Sequence, residues 1–389
     1  MPFGRRRQPI GLAQDPPGLR DHVQARVGRR DAARVSFEEP HAELVLQLLE
    51  RVGQRGLADV EALGGPAHMP GVGDRDEIAQ LPQLHAAMIN ALYGPPDPLS
   101  WTRARPRRHN RVMTTNKVWL ITGASSGFGR AIAEAALAAG DTVVATARNP
   151  KTLDDLVAAH PDRAVAVALD VTDGARIKEV VAEAVLWYGR VDVLVNNAGR
   201  GHVGAVEETT DEELRDLMEL HFFGPAALIR EVLPHMRRQG SGAIVQMSSM
   251  GGRYSFPAVG AYSATKFALE GLSQALAQEV AGFGIKVLVV EPGSFRTNLA
   301  GGGQTVSASM PEYKALVEPF EVDFRESDGL QPGDPAKLAQ AIISALAAER
   351  TPLRLPLGAD ALDMVIERSA ADEQELRTWE AVGRSTDFD

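Results

Sequence analysis

Cysteine is missing from all 389 residues of this chain, which excludes disulfides, thiolate metal sites and a cysteine nucleophile, and fits a reducing cytosol. No apolar run approaches the roughly 18 to 20 residues needed to span a bilayer, and the N-terminal arginines are not followed by the apolar core of a signal peptide. Positive charge is also in deficit: 41 Lys and Arg against 51 Asp and Glu leave a formal net charge of -10. A general nucleic-acid binder is therefore not expected, because neutralising phosphates needs a basic face. These absences predict a soluble cytoplasmic protein with no metal, membrane or nucleic-acid partner. A hydrophobic content of 44% is ordinary for a globular chain that buries a full core, and the length allows two or three domains.

Lysine is absent from residues 1–112, which hold sixteen Arg, thirteen acids, twelve of the 24 Pro and five of the nine His. The charge is thus +3 upstream and -13 downstream. Glu43–Val52 reads as an amphipathic helix and Ile78–Leu92 as a second, separated by Gly64-Gly65-Pro66 and followed by Gly94-Pro95-Pro96 and the basic run Arg103–Arg111. One reading is an independent domain or a nucleic-acid-binding arm. The other is a disordered leader or an upstream mis-extension, since Arg in place of Lys with abundant Ala, Gly and Pro is what GC-rich DNA yields outside a coding frame. Met113-Thr114-Thr115-Asn116-Lys117 also reads as a natural start ahead of a first strand. The second reading is the expectation, with 113–389 as one domain; neither half contains an internal repeat.

From Lys117 onward, short apolar runs alternate with helical stretches: Val118–Ile121, Thr142–Thr146, Val165–Leu169, Val191–Val195, Ala243–Met247 and Ile285–Val290. Continuous runs suit strands buried on both faces, and their alternation with helices predicts right-handed crossovers. The expected fold is a doubly wound, Rossmann-type α/β domain, its mostly parallel sheet covered by helices on both faces. Thr210-Asp211-Glu212-Glu213 is a capping box, and Asp334-Pro335 places an N-cap before a first-turn proline.

The first run leads into Thr122-Gly123-Ala124-Ser125-Ser126-Gly127-Phe128-Gly129, and Arg130–Ala139 continues as a helix. Glycines there let the backbone turn sharply and approach a pyrophosphate held at a helix N-terminus. Alone, such a turn is weak evidence. Further along come Asp170-Val171, Asn196-Asn197-Ala198-Gly199, Ser249, Tyr262-Ser263-Ala264-Thr265-Lys266 and Pro292-Gly293. Together these resemble the motifs of the classical short-chain dehydrogenases/reductases, in that family's order and at its separations; the resemblance does not extend to residues 1–112.

Cofactor choice follows from charge after the second strand. An NAD enzyme places a carboxylate there for the ribose 2'-hydroxyl, whereas an NADP enzyme offers a cation to the 2'-phosphate. Here Ala147 stands in the acid's place, with Arg148 beside it. NADP(H) is expected. The resemblance further implies that Gly123, Ser125, Ser126, Gly127, Phe128 and Gly129 cradle the pyrophosphate, that Asp170 bonds the adenine amino group and that Val171 supports the ring. It also implies that Asn196 braces the strand end near the adenine ribose, while Ala198 and Gly199 let the cofactor pass close to the backbone. Asn196 and Asn197 keep an alternative reading, that of satisfying turn amides. Pro292, Gly293, Phe295 and Thr297 match the family loop that holds the nicotinamide carboxamide, Phe295 through its backbone and Thr297 through its hydroxyl.

Tyr262 and Lys266 are four apart in a helical stretch and so share a face. A nearby ammonium is expected to lower the tyrosine pKa from about 10 toward working pH, enabling general acid-base catalysis. Ser249, just past a buried run, is expected to hydrogen-bond the substrate oxygen; Ser248 does not fit the family's spacing. The family's fourth catalytic residue is an asparagine three before a glycine, and this sequence has His221-Phe222-Phe223-Gly224 there. Two roles stay open for His221, a proton relay and simple packing. The stretch 298–329 has two open readings, a lid over an alcohol or carbonyl substrate, with Val306, Met310, Tyr313, Leu316, Val317 and Phe320 as its apolar residues, and a plain surface excursion. A homodimer or homotetramer paired through Asp211–Arg238 and Tyr262–Ala281 is implied by the resemblance. The competing function is a catalytically silent dinucleotide sensor or scaffold.

Overall fold

The computed structural model describes residues 116–388. The leader, the helices expected near Glu43 and Ile78 and the basic run before Met113 lie outside the described residues. Nine strands are present among the described residues: β1 (Val118–Ile121), β2 (Thr142–Ala147), β3 (Ala164–Ala168), β4 (Val193–Asn196), β5 (Gly201–Val203), β6 (Gly242–Met247), β7 (Ile285–Pro292), β8 (Gln304–Val306) and β9 (Arg354–Leu357). Seven of them form one sheet in the order β3-β2-β1-β4-β6-β7-β9, and every neighbouring pair is parallel.

The helices are α1 (Gly127–Ala138), α2 (Asp154–Ala159), α3 (Gly174–Tyr188), α4 (Asp211–Met218), α5 (Gly224–Gln239), α6 (Gly260–Val280), α7 (Lys314–Glu326), α8 (Pro335–Ala347) and α9 (Ala359–Arg384). Successive strand residues supply two separate cores, as the alternation of side chains across a pleat requires. Ile121, Val195 and Val245 pack with Ile132 and Leu137 of α1 and Leu338 and Ile342 of α8. Leu120, Leu194 and Ile244 pack with Ile177 of α3, Leu228 of α5 and Leu276 of α6. Burial on both faces is why these strands read as unbroken apolar runs. The capping box at Thr210 is complete, and Asp334 accepts bonds from the Ala336 and Lys337 amides at the start of α8.

β9 was not legible as a strand: its four residues include Pro356 and are all only partly buried. A proline cannot donate to a ladder, which restricts it to an edge, and β9 is the sheet's edge. Strand order reverses between β1 and β4, so their carboxyl ends flank the crevice where open α/β sheets bind ligands.

The expected lid, 298–329, contains β8 and α7. β8 pairs with β5 in a separate two-stranded sheet. Val317, with Tyr313 and Phe320 partly buried behind it, packs on Val203, Ala205 and Ala258, whereas Val306 and Leu316 are exposed. Among the described residues no helix is long and apolar enough to cross a membrane, and no group of three His, Asp or Glu side chains is arranged to hold a metal ion.

Candidate active site

The chain leaves β1 through a turn that only glycine accommodates at two points, Gly123 at φ +63° and Gly127 at φ +54°. A Cβ on Gly123 would also lie 2.9 Å from the Ala198 Cα. Gly129 is required by space rather than by φ, since a Cβ there would strike the Gly123 carbonyl and the Asn197 side chain. Ser126 caps α1 without a side-chain bond, and no acid sits in the helix's first turn. The positive end of α1 is thus uncovered beside Ser125, which suits an anion.

Asn197 fixes this turn. Its Nδ2 donates to the Thr122 carbonyl at 2.8 Å and the Gly123 carbonyl at 3.1 Å, while the Thr122 hydroxyl accepts from the Asn197 and Ala198 amides at 2.9 and 3.0 Å. Asn196 turns the other way: it is buried and donates to Gln246 Oε1 on β6 at 2.8 Å. Of the two asparagines, the second is the one that holds the glycine turn. Gly199, nearby, is exposed, and a Cβ on it would lie 3.1 Å from His221 Nε2.

Arg148 is exposed at the end of β2, next to buried Ala147, and makes no hydrogen bond or ion pair among the described residues. Its field reaches Asp170 beyond β3. One Asp170 oxygen accepts from the Thr172 amide at 3.0 Å and its hydroxyl at 2.8 Å. The amide bond chiefly, with smaller contributions from the hydroxyl and from Arg148, holds the carboxyl below its ordinary value. Val171 is buried, and its carbonyl passes so close to Gly224 that no side chain fits there. Gly224 therefore sets the approach of α5 to the edge of the crevice.

Ser249, Tyr262 and Lys266 are brought together beyond the carboxyl end of β6. Ser249 accepts from the Gly251 amide at 3.0 Å, and a Cβ on Gly251 would meet both Ser249 Oγ, at 3.4 Å, and Tyr262 Cε1, at 3.5 Å. Lys266 is buried on α6, donates to the Met247 carbonyl at 2.9 Å and lies 5.6 Å from the Tyr262 ring centre. Burial lowers its pKa to about 8, opposed by the Glu270 carboxylate. For Tyr262 the expected direction needs correction: desolvation raises its pKa, and the opposing influence is a hydrogen bond from Ser249 rather than the ammonium. Ser248 Oγ points away, buried against Gly252.

His221 lies in a π-helical turn, Glu219–Phe223, that joins α4 to α5. It is buried, and both ring nitrogens are engaged: Nε2 accepts from the Arg200 amide at 3.1 Å, and Nδ1 lies 2.9 Å from Thr265 Oγ1. Because the Thr265 hydroxyl donates to the Tyr262 carbonyl at 2.7 Å, Nδ1 is the donor to Thr265. Burial, reinforced by the charges of Lys266 and Arg200, lowers the His221 pKa well below 6.5, so the ring is neutral near pH 7. The stability it contributes is complete above the unfolded value of 6.5 and is lost as the pH falls through the folded pKa. Its ring meets that of Tyr262 edge-on, 5.6 Å apart. His221→Ala is therefore expected to cost about 1–3 kcal/mol in lost buried hydrogen bonds and to lower Tm by several degrees, with the pH midpoint of turnover unmoved. A shifted midpoint with an unchanged Tm would instead assign His221 to a relay; His221→Asn separates size from chemistry.

The loop after β7 closes onto the glycine turn. Phe295 meets Phe128 edge-on at 5.4 Å, and a Cβ on Gly127 would lie 3.3 Å from that of Thr297. Asp360, at the start of α9, accepts from the Ser294 amide at 2.7 Å and crowds Gly293 so closely that no side chain fits there. Sequence reasoning missed Asp360, which holds the loop after β7, whereas for Asn197 the alternative reading of a turn-satisfying side chain describes what it does on the other side of the crevice, though its partners there are carbonyls. The glycine cradle, the open end of α1 and this loop together fit a dinucleotide.

The short chain dehydrogenase family model matches residues 117–305. The oxidoreductase BOA17 of Botryotinia fuckeliana is 43% identical over 248 residues, 64% of this chain and 90% of its own. A short-chain dehydrogenase from Streptomyces avermitilis, known from its crystal structure, is 61% identical; the match covers 70% of this chain and 100% of that one, with a TM-score of 0.67. A short chain dehydrogenase/reductase from Burkholderia phymatum, solved in complex with NAD, is 26% identical over 67% of this chain and 95% of its own, with a TM-score of 0.59. The chain belongs to the short-chain dehydrogenase/reductase family, whose members are oxidoreductases, and the Burkholderia relative binds NAD.

Proposed function

We propose that the protein interconverts a carbonyl compound and its alcohol with NADP(H), using Ser249, Tyr262 and Lys266. The observation that carries this reading is the meeting of the Ser249 and Tyr262 side chains beside Lys266 at the carboxyl end of β6. When bound, the dinucleotide supplies or takes the hydride. Tyr262 then gives its phenolic proton to the carbonyl oxygen, and Ser249 hydrogen-bonds that same oxygen as negative charge develops on it. Lys266 steadies the phenolate that is left. Arg148 holds the 2'-phosphate, the free Asp170 oxygen takes the adenine amino group, and Phe295 and Thr297 orient the carboxamide. The test is consumption of NADPH and NADH with a panel of aldehydes, ketones and quinones. NADPH-dependent reduction of at least one is expected; NADPH binding without turnover on any of them would favour the silent sensor.

In this reading residues 113–389 are a self-sufficient domain, supported by the full coverage of the Streptomyces protein by 70% of this chain. A chain of residues 113–389 is expected to match the full-length protein in Tm and NADPH affinity; a drop of more than several degrees would show that the leader buries an interface. Two copies pair through α4, α5 and α6, where Leu214 on α4, Phe267 on α6 and Phe223 in the turn joining α4 to α5 are exposed.

A further inference from the structure

Behind the site, two buried carboxylates lie where the reaction outlined above has no use for them. Glu291, on β7, is 0% exposed, and Glu270, on α6, is 4% exposed. One guanidinium nitrogen joins them: Arg354 Nε, from β9, lies 2.9 Å from Glu270 Oε2 and 3.5 Å from Glu291 Oε1. Arg253 Nη1, from the turn after β6, lies 3.3 Å from the same Glu291 oxygen. The second oxygen of each carboxylate, Glu270 Oε1 and Glu291 Oε2, is buried without a donor among the described residues. Two ionised carboxylates with uncompensated buried oxygens are costly, whereas one proton between them removes a charge and supplies a donor.

This cluster reaches Lys266. Glu270 is four residues beyond it on α6, so the two share a helix face. Both side chains pack on Gly252, where a Cβ would lie 3.1 Å from Glu270 Cγ and 3.3 Å from Lys266 Cβ. The Ser248 amide donates to the Val290 carbonyl at 2.9 Å, which places Glu291 one residue beyond the strand end where Lys266 is anchored to Met247. The charged or titratable groups around the pair are Lys266 on α6, Arg253 and Tyr254 on the turn after β6, and Arg354 on β9.

We propose that Glu270 and Glu291 act as one proton-sharing pair that sets the charge of Lys266. At mildly acidic pH the pair holds one proton and one negative charge. As the pH rises that proton leaves to solvent, and the second negative charge holds the Lys266 ammonium in a range where burial would otherwise neutralise it. Burial and then Glu270 raise Glu291 to about 7 against the pull of both arginines, which places the change just below the value of about 8 for Lys266. Glu270 and Glu291 are positioning residues, acting through Lys266; the proposal rests on the reading of Lys266 given under the proposed function.

Lys266 is one of only seven lysines, so the full-length chain labelled with carbon-13 at the lysine Cε positions gives few resonances, and the one absent from Lys266→Arg is its own. The wild-type resonance is expected to titrate well below those of the other lysines. In Glu291→Gln and in Glu270→Gln, which keep side-chain volume, its midpoint should fall by about one pH unit, a roughly tenfold loss of proton affinity. Infrared spectra of the wild-type protein should also show a protonated carboxyl band that fades as the pH crosses neutrality and is missing from Glu291→Gln. An unmoved Lys266 midpoint in both variants would overturn the proposal, as would a wild-type spectrum without that band. Neither measurement needs a substrate, so either can fail while carbonyl reduction stands, and both can succeed while it fails.

Discussion

Tyr262→Phe is expected to bind NADPH as the wild type does and to reduce carbonyl substrates at least about 100-fold more slowly, the lower end of what general acid-base groups contribute. The substitution keeps the ring, and with it the edge-on contact with His221 and the packing over Gly251. Only the oxygen is lost. His221 does not replace it, because one of its nitrogens accepts from the Arg200 amide and the other donates to Thr265. Because desolvation raises the Tyr262 pKa, the phenol is protonated at neutral pH and ready to donate in the reductive direction. Reduction should therefore persist across neutral pH and fall only on the alkaline side. Oxidation of the alcohol, which needs the phenolate, should rise with pH. Undiminished reduction by Tyr262→Phe would remove the basis for the proposed mechanism.

Arg148→Ala carries the second large effect. The guanidinium is exposed and unpaired among the described residues, so its removal leaves no buried partner stranded and little reason for the fold to suffer. A charge-assisted hydrogen bond to the 2'-phosphate contributes roughly 1.5–3 kcal/mol, so NADPH affinity should drop by about one to two orders of magnitude. NADH, which has no 2'-phosphate, should bind nearly as before, and Ala147→Asp should move preference toward it. Equal losses for both cofactors in calorimetric titrations would make Arg148 a structural residue.

The sheet was legible because six of its strands are buried on both faces and announce themselves as apolar runs, each followed by helical periodicity. The glycine turn, Asn196 to Gly199, Ser249, Tyr262 with Lys266 and Pro292-Gly293 fall at strand ends, where this topology collects its ligands. Elements whose stability comes from elsewhere were not legible. β9 depends on its edge position, and β5 and β8, three residues each, exist only because they pair with one another. The π-helical turn at Glu219–Phe223 leaves helical periodicity almost undisturbed while setting His221 inward. Glu291 did leave a signal, a lone acid between the apolar run Ile285–Val290 and Pro292, but its partner Glu270 comes from a separate helix and spacing alone does not join them. Asp360 is further removed still, serving Gly293 and Ser294 from the start of the last helix.

The most direct test follows the hydride. NADPH carrying deuterium at the reactive C4 position, mixed in single turnover with a carbonyl compound that the protein reduces, should yield an alcohol bearing one deuterium on the former carbonyl carbon, as read by mass spectrometry. Tyr262→Phe should give almost none on the same timescale. An alcohol without the label, or cofactor oxidised with no alcohol formed from any carbonyl tested, would contradict the proposal that this protein is an NADP(H)-dependent carbonyl reductase.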